Sequence, residues 1–241
     1  MFEADNIYFG DCNELIKQIS DKSIDLIVTD PPYLLSSYGG GNAVFGTKKK
    51  KYYKEIEYLS NGISLNILDD FIRILKKINI YIWCSKRQIT GYIQYFLNLG
   101  CTFELITWHK TNPIPTCNNK YLNDSEYCLF FREKGVKLYG NYETKKTFYL
   151  TGVNKDDKKI WNHPTIKPLF IIKNLILNSS LEDDIVLDPF SGSGTTALAA
   201  SQLRRRYMAF ENNRQYFNLS IERLKSAKNQ TKLEGISLLS C

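Results

Sequence analysis

Ile185-Val186-Leu187-Asp188-Pro189-Phe190-Ser191-Gly192-Ser193-Gly194-Thr195-Thr196 is the stretch that decides the fold. An apolar run ends in an acid, two glycines make a tight turn, and an apolar helix opens at Thr195. A strand, a glycine turn and a helix in that order form the repeating unit of a parallel sheet covered by helices. Glycines let the backbone approach a ligand closely, and the free N–H groups of a helix start favour an anion. The stretch is not a P-loop, because no lysine follows the second glycine. It also lacks the third glycine of the dinucleotide fingerprint. Glu211 closes the strand that follows, where a carboxylate can hold two ribose hydroxyls.

Strands and helices alternate on both sides of this unit. Downstream, a helix over Thr195–Leu203, a strand over Arg206–Phe210 and a helix over Asn213–Lys228 are expected, with the last dozen residues as a loose tail. Immediately upstream lie a helix over Lys167–Leu177 and a strand over Asp184–Leu187. The N-terminal half gives a strand Asn6–Phe9, a helix Cys12–Ile19, a strand Ile24–Thr29 and a helix Leu65–Lys77. It continues with a strand Ile78–Cys84, a helix Arg87–Leu99, and strands Thr102–Trp108 and Glu126–Phe131. Trp83 and Cys84 read as core, since they lie in a continuous apolar strand. The pattern is α/β, a doubly wound and mainly parallel sheet in one domain spanning residues 1–241.

Three stretches lack a period. Leu34–Gly62 contains Gly39-Gly40-Gly41 and Lys48-Lys49-Lys50-Lys51, and reads as a long mobile loop. Residues 112–123 and 133–163 are rich in Asn, Lys, Gly and Tyr. The positive charge concentrates there: residues 48–61 carry +3 and residues 110–173 carry +6, more than the net +7, so the remainder is slightly acidic. A basic surface next to aromatic side chains permits nucleic acid as a partner. No apolar run reaches the roughly 20 residues of a membrane helix, and the N-terminus has no signal-peptide pattern. Six scattered cysteines read as reduced thiols of an intracellular protein. Two histidines and no Cys-x-x-Cys argue against a structural zinc site.

Four of the expected strands end in an acid: Asp11, Asp30, Asp188 and Glu211. In an open α/β sheet ligands bind outside that edge. Four carboxylates together need donors or a cation, and a nucleoside-type cofactor with hydroxyls, an exocyclic amine and a positive centre meets that need. The sharpest signal is Asp30-Pro31-Pro32-Tyr33, directly after an apolar strand. The prolines stiffen the backbone and leave carbonyls that only accept. Asp30 and the Pro31 carbonyl can take both hydrogens of an amine on a planar base while Tyr33 stacks on its face. Taking both hydrogens favours pyramidalisation, which returns the nitrogen lone pair for attack on an electrophilic methyl group. Positioning and electrostatics then carry the step without a strong base.

Asp30-Pro31-Pro32-Tyr33 together with Phe190-x-Gly192-x-Gly194 resembles the S-adenosylmethionine-dependent DNA amino-methyltransferases, which methylate adenine N6 or cytosine N4. The tetrapeptide precedes the glycines, as in the circularly permuted beta class with its Rossmann-like fold. His163-Pro164-Thr165-Ile166-Lys167-Pro168 and Trp108-His109-Lys110-Thr111-Asn112-Pro113 are similar to motifs of that class too, so the likeness covers about residues 5–225. Leu34 follows the tyrosine where members often carry asparagine.

The resemblance implies S-adenosylmethionine as cofactor, with Asp11 at its adenine amino group and Glu211 at its ribose. Phe190, Gly192, Ser193, Gly194 and Thr195 would line the methionine moiety beside Asp30 and Asp188, with Thr165 and Lys167 near its carboxylate. Asp30, Pro31, Pro32 and Tyr33 would be catalytic. It implies transfer to adenine N6 in double-stranded DNA after base flipping, since Asp rather than Ser opens the tetrapeptide. N4-cytosine transfer and a catalytically inactive DNA-binding member of the fold are the alternatives. Lys48, Lys49, Lys50 and Lys51 would contact phosphates, and about residues 133–162 would read base edges. As in many members of the class, a homodimer is implied. The expected place is intracellular, on DNA.

Overall fold

Short apolar strands buried on both faces set the architecture of the computed structural model, which describes residues 2–33, 63–64, 66–113, 115, 119, 121–153 and 166–238. Among these, eight strands form one sheet: β1 Asn6–Phe9, β2 Leu26–Thr29, β3 Asn79–Cys84, β4 Thr102–Lys110, β5 Ser125–Arg132, β6 Phe148–Thr151, β7 Ile185–Asp188 and β8 Arg206–Glu211. Their order is β1-β8-β7-β2-β3-β5-β4-β6. Every neighbouring pair is parallel except the two that involve β5. The helices are α1 Cys12–Leu15, α2 Ile67–Ile74, α3 Ile89–Asn98, α4 Leu169–Ser179, α5 Thr195–Gln202 and α6 Arg214–Leu238.

Alternation along the strands feeds two cores. Leu26 and Val28 of β2 join the layer under α4 and α5, whereas Ile27 between them joins the layer under α2 and α3. Successive side chains of a strand point to opposite faces, so a strand buried throughout must find apolar partners on both. The aromatic share of these cores is high: Tyr81 stacks on Phe130 at 4.2 Å and Phe96 on Phe131 at 4.1 Å. The doubly wound, mainly parallel sheet expected from the sequence is the one observed. Among the described residues no helix is long and apolar enough to cross a membrane.

Three local expectations change. The Cys12–Ile19 helix is a single α-turn followed by a 3-10 turn over Ile16–Gln18. β6 falls inside a segment without visible period, because only Tyr149 of its four residues is buried and the neighbouring Phe148 and Leu150 are exposed, so no alternation marks it. The C-terminal residues read as a tail instead continue α6 to Leu238. That stretch holds no proline and is rich in Lys, Glu, Leu and Gln, residues that lose little in a helix. Four of the six cysteines are described, and all four are free and buried.

The sheet also fixes where the segments between strands lie. β5 runs back from Ser125 to Arg132, and Arg132 pairs with Asn79 at the start of β3. Residues 133–147 therefore start from the amino edge of the parallel strands, where the Tyr139 N–H donates to the Asn178 carbonyl. A six-residue strand such as β3 separates that edge from the carboxyl edge by roughly 17 Å. By Thr147, whose carbonyl accepts from the Thr107 N–H, the chain has crossed to the level of Cys84 at the end of β3, so β6 and residues 152–153 lie at the carboxyl edge beside Asn112, whose Oδ1 accepts from the Val153 N–H at 2.7 Å. The segment of about 133–162, expected to act as one recognition insertion, is thus divided between opposite edges, and residues 154–162 lie outside the described part.

Candidate active site

The carboxyl ends of four consecutive neighbours in the sheet carry the four acids. Asp11 follows β1, Glu211 closes β8, Asp188 closes β7 and Asp30 follows β2. β2 and β7 pair directly, with Ile27 opposite Leu187. The Asp30-Pro31-Pro32-Tyr33 edge and the glycine turn therefore face each other across adjoining strands, at the point where the chain winds to either side of the sheet.

On the glycine side the carboxylates hold the turn itself. Asp188 is 4 % exposed and its Oδ1 accepts from Thr29 Oγ1 at 3.0 Å and from the Phe190 N–H at 3.1 Å. Glu211 accepts from the Gly192 N–H at 2.7 Å through Oε2 and from the Asn213 N–H at 2.7 Å through Oε1. Two turn amides expected to await an outside anion are thus satisfied by the chain's own carboxylates. A pyrophosphate would meet negative charge there, whereas ribose hydroxyls can donate to the remaining lone pairs of Glu211. Burial pushes the Asp188 carboxyl up to about 7, with Thr196, Phe190 and Thr29 opposing the shift. Burial likewise raises Glu211, partly offset by the amides of Asn213 and Gly192. Asp11 caps α1, its Oδ1 accepting from the Asn13 N–H at 2.8 Å.

Gly194 is needed for packing as well as for the turn. Its φ is +74°, and a Cβ there would stand 2.8 Å from Cβ of Ser220 on α6. The same helix supplies Arg223, 3 % exposed, whose Nη1 donates to Thr195 Oγ1 at 2.8 Å and to the Ser193 carbonyl and hydroxyl at 3.2 Å. A basic residue in the amphipathic C-terminal helix gives no sequence sign of reaching the turn; only the docking of α6 brings it there.

On the other side lies a buried charge cluster. Lys167, whose side chain is 5 % exposed, donates to Asp30 Oδ2, to Tyr33 Oη at 3.1 Å and to Glu126 Oε2 at 3.1 Å. Glu126 is the second residue of β5, and its Oε1 meets Nζ of Lys110, the last residue of β4, at 2.5 Å. The Lys167 ammonium also sits 5.3 Å from the Tyr33 ring centre and 5.1 Å from that of Trp83. Asp30 Oδ1 is buried with no hydrogen-bond partner among the described residues. Burial pushes the Asp30 carboxyl up, and the Lys167 ammonium opposes that shift without cancelling it. Burial also raises Glu126, but Lys167 and Lys110 outweigh it and hold the carboxyl at about 2. Burial would lower Lys167, yet Asp30 and Glu126 raise it above the ordinary lysine value. Tyr33 is pushed well up, first by burial and then by Asp30 and Glu126.

The structure thus brings Asp11, Asp30, Pro31, Pro32, Tyr33, Lys167, Asp188, Phe190, Gly192, Ser193, Gly194, Thr195 and Glu211 to one edge. Lys167, expected near a cofactor carboxylate, is engaged by Asp30, Tyr33 and Glu126. Thr165 and the lysines at 48–51 lie outside the described residues, as do His163 and Pro164. Sequence reasoning misses Glu126, Lys110, Thr29 and Arg223 as site residues. Lys110 lies within the Trp108–Pro113 motif, whereas Glu126 stands near the start of its strand and not at the end as the other four acids do; only the antiparallel direction of β5 brings it to the same edge. His109 is held between hydroxyls, with Nδ1 2.9 Å from Ser125 Oγ and Nε2 3.0 Å from Thr107 Oγ1.

The donor set fits S-adenosylmethionine. Carboxylate acceptors rather than phosphate-binding amides line the edge, the orphaned Asp30 Oδ1 points to an absent donor, and Ser191 Oγ is buried with no partner among the described residues.

Comparisons with known proteins agree with this geometry. A family described as DNA methylase, of the N6/N4 methyltransferase type, matches residues 24–222. The Type II methyltransferase M2.MboI of Moraxella bovis is 33 % identical over 250 residues, which cover 92 % of this chain and 89 % of that protein. The crystal structure of the M1.HpyAVI–SAM complex superposes with a TM-score of 0.67 at 27 % identity, covering 91 % of this chain and 99 % of that one. PvuII DNA methyltransferase, described as cytosine-N4-specific, shares the fold with a TM-score of 0.69 at 18 % identity, covering 92 % and 86 %.

Proposed function

The chain belongs to the N6/N4 family of DNA methylases, and from that premise we propose that it is a Type II modification enzyme acting on adenine N6 in double-stranded DNA, with S-adenosylmethionine as methyl donor. The observation that carries this reading is the juxtaposition of the Asp30–Tyr33 edge with the glycine turn on the paired strands β2 and β7. When bound, the cofactor supplies an electrophilic methyl group whose bond to sulfur breaks as the bond to nitrogen forms.

The chain's own residues do the rest. Asp11 accepts from the cofactor's adenine amine and Glu211 from its ribose hydroxyls, while Phe190 and Gly192–Thr195 line the methionine end. Asp30 and the Pro31 carbonyl accept the two hydrogens of the target amine, and Tyr33 stacks on the base. Asp30 takes the proton that the methylated nitrogen gives up, a role suited to a carboxyl whose proton affinity burial has raised. An adenine paired in a duplex cannot reach this edge, so the nucleotide swings out at a cost of a few kcal/mol. Lys48–Lys51 engage phosphates, and the segment that leaves β6 at the carboxyl edge contributes to base reading. Residues 133–144 have no part in it, because Tyr139 and Thr144 bond Asn178 at the opposite edge.

Incubation with duplex DNA and methyl-labelled S-adenosylmethionine, followed by digestion to nucleosides, tests the proposal. Label in N6-methyladenine is the expected result. Label in N4-methylcytosine would move the activity to the other base, and DNA binding without label would leave an inactive member of the family.

A further inference from the structure

We propose that Glu126 is a positioning residue of this centre: it gives Lys167 a second anionic partner, so that the ammonium stays balanced and can shift from Asp30 when Asp30 takes the proton of the target amine. The inference rests on the reading above, in which Asp30 receives that amine.

Lys167 occupies Asp30 Oδ2, the oxygen beside the one that has no partner among the described residues. The amine can place its hydrogen on the free Oδ1, but once Asp30 takes the proton it no longer carries the charge that balances the ammonium. At 5 % exposure the ammonium cannot retreat into water, and a buried charge without a partner is costly. Glu126 resolves this conflict. Its Oε2 already lies 3.1 Å from Nζ of Lys167, while its Oε1 is anchored by Lys110 at 2.5 Å, so the carboxylate stays in place as the ammonium shifts. The Tyr33 hydroxyl, 3.1 Å from Lys167 and 3.5 Å from Glu126, bridges the two positions. The rings of Tyr33 and Trp83 face the ammonium at 5.3 and 5.1 Å and keep it favourably placed along the way.

The ionised groups facing Lys167 are Asp30 after β2, Glu126 near the start of β5 and, behind Glu126, Lys110 at the end of β4. Cys84 of β3 and Cys128 of β5 are neighbours as well, and burial keeps both thiols protonated. Asp188 of β7 lies next along the edge and feels the charge of Asp30. With Glu126 neutralised, Lys167 has Asp30 as its remaining carboxylate in this cluster, and the repulsion of Glu126 on Asp30 is gone. Both changes lower the proton affinity of Asp30 and tighten its hold on Lys167.

The test uses Glu126→Gln and Glu126→Asp in the full chain, with single-turnover methyl transfer at saturating cofactor and DNA followed across pH. Glu126→Gln should lower the plateau rate about tenfold or more, with cofactor and DNA affinities kept within about threefold. The acid limb of its rate profile should move to lower pH. Glu126→Asp, which keeps the charge, should stay within about threefold of the natural protein and hold its acid limb. An unchanged rate in Glu126→Gln overturns the proposal. So does a loss without any movement of the acid limb, or a folded Glu126→Asp that fails equally, and this last variant decides alone if Glu126→Gln does not fold. A natural protein that methylates no DNA instead removes the functional reading itself.

Discussion

The hydroxyl of Thr29 donates to Asp188 Oδ1 at 3.0 Å, fastening the last residue of β2 to the last residue of β7. This bond joins the two halves of the site, because Thr29 precedes the Asp30–Tyr33 edge and Asp188 precedes the glycine turn. Thr29 is 1 % exposed, so the bond is made away from water and neither partner has an alternative in solvent. Thr29→Val should therefore leave Asp188 short of a donor, lower stability by about 1–3 kcal/mol and weaken S-adenosylmethionine binding. Chemical denaturation and calorimetric titration would measure the two effects.

Asp188 also gives the fold a pH dependence whose sign follows from its carboxyl lying near 7 in the folded chain against 3.8 ordinarily. An acid whose folded value is raised holds its proton longer in the native state than in the unfolded one. Its contribution to stability is then greatest below about pH 4, falls as pH climbs to about 7, and is flat above. The full span is on the order of 4 kcal/mol. In Asp188→Asn that part of the slope should vanish, so the variant should compare better with the natural protein at pH 8 than at pH 4. A denaturation series over that range reads it directly, and identical slopes in both proteins would remove Asp188 as the source.

Asp30→Ala should reduce methyl transfer by about a thousandfold or more, since positioned acceptors at the reacting group carry the step. It also deprives the buried Lys167 of one carboxylate, though Glu126 remains to hold it. Folding and cofactor binding should therefore survive, as checked by thermal unfolding and calorimetry, and near-normal transfer would exclude Asp30 from the reaction.

Gly194→Ala should destabilise the chain by about 1–3 kcal/mol. The added Cβ would lie 2.8 Å from Ser220 Cβ, on a residue at φ +74°. The penalty of Gly194→Ala should be smaller in a Ser220→Gly background than in the natural chain, because the Cβ collision is removed while the backbone strain stays. An equal penalty in both backgrounds would assign the whole effect to φ.

Replacing Lys48, Lys49, Lys50 and Lys51 with alanine should weaken binding to all DNA sequences alike and flatten its dependence on salt, by roughly 0.9 in slope for each phosphate no longer neutralised. Binding isotherms between low and moderate salt would show it, and an unchanged slope would take these lysines off the phosphates.

Much of the site is readable because its chemistry rests on local sequence. A proline pair can only end a strand, a glycine pair before an apolar helix can only turn, and an acid at the end of an apolar strand lies at the sheet edge. These rules locate Asp11, Asp30, Asp188 and Glu211 without coordinates, and the strand order then makes them consecutive neighbours. β6 is not readable, since one buried residue in four makes no period, and the continuation of α6 past Lys228 is hidden by its weak apolar pattern.

The sequence by itself determined the doubly wound sheet and which acids stand at its carboxyl edge, because periodicity and turn chemistry act over a few residues. The tertiary structure alone decided what those acids touch. Lys167 lies 137 residues from Asp30 and 41 from Glu126, and Arg223 lies 28 residues beyond Thr195, so no local pattern links them. Their pairing comes from the sheet bringing the ends of β2 and β4 and the start of the antiparallel β5 to one edge, and from α6 docking on the turn, where burial turns ordinary surface charges into fixed partners.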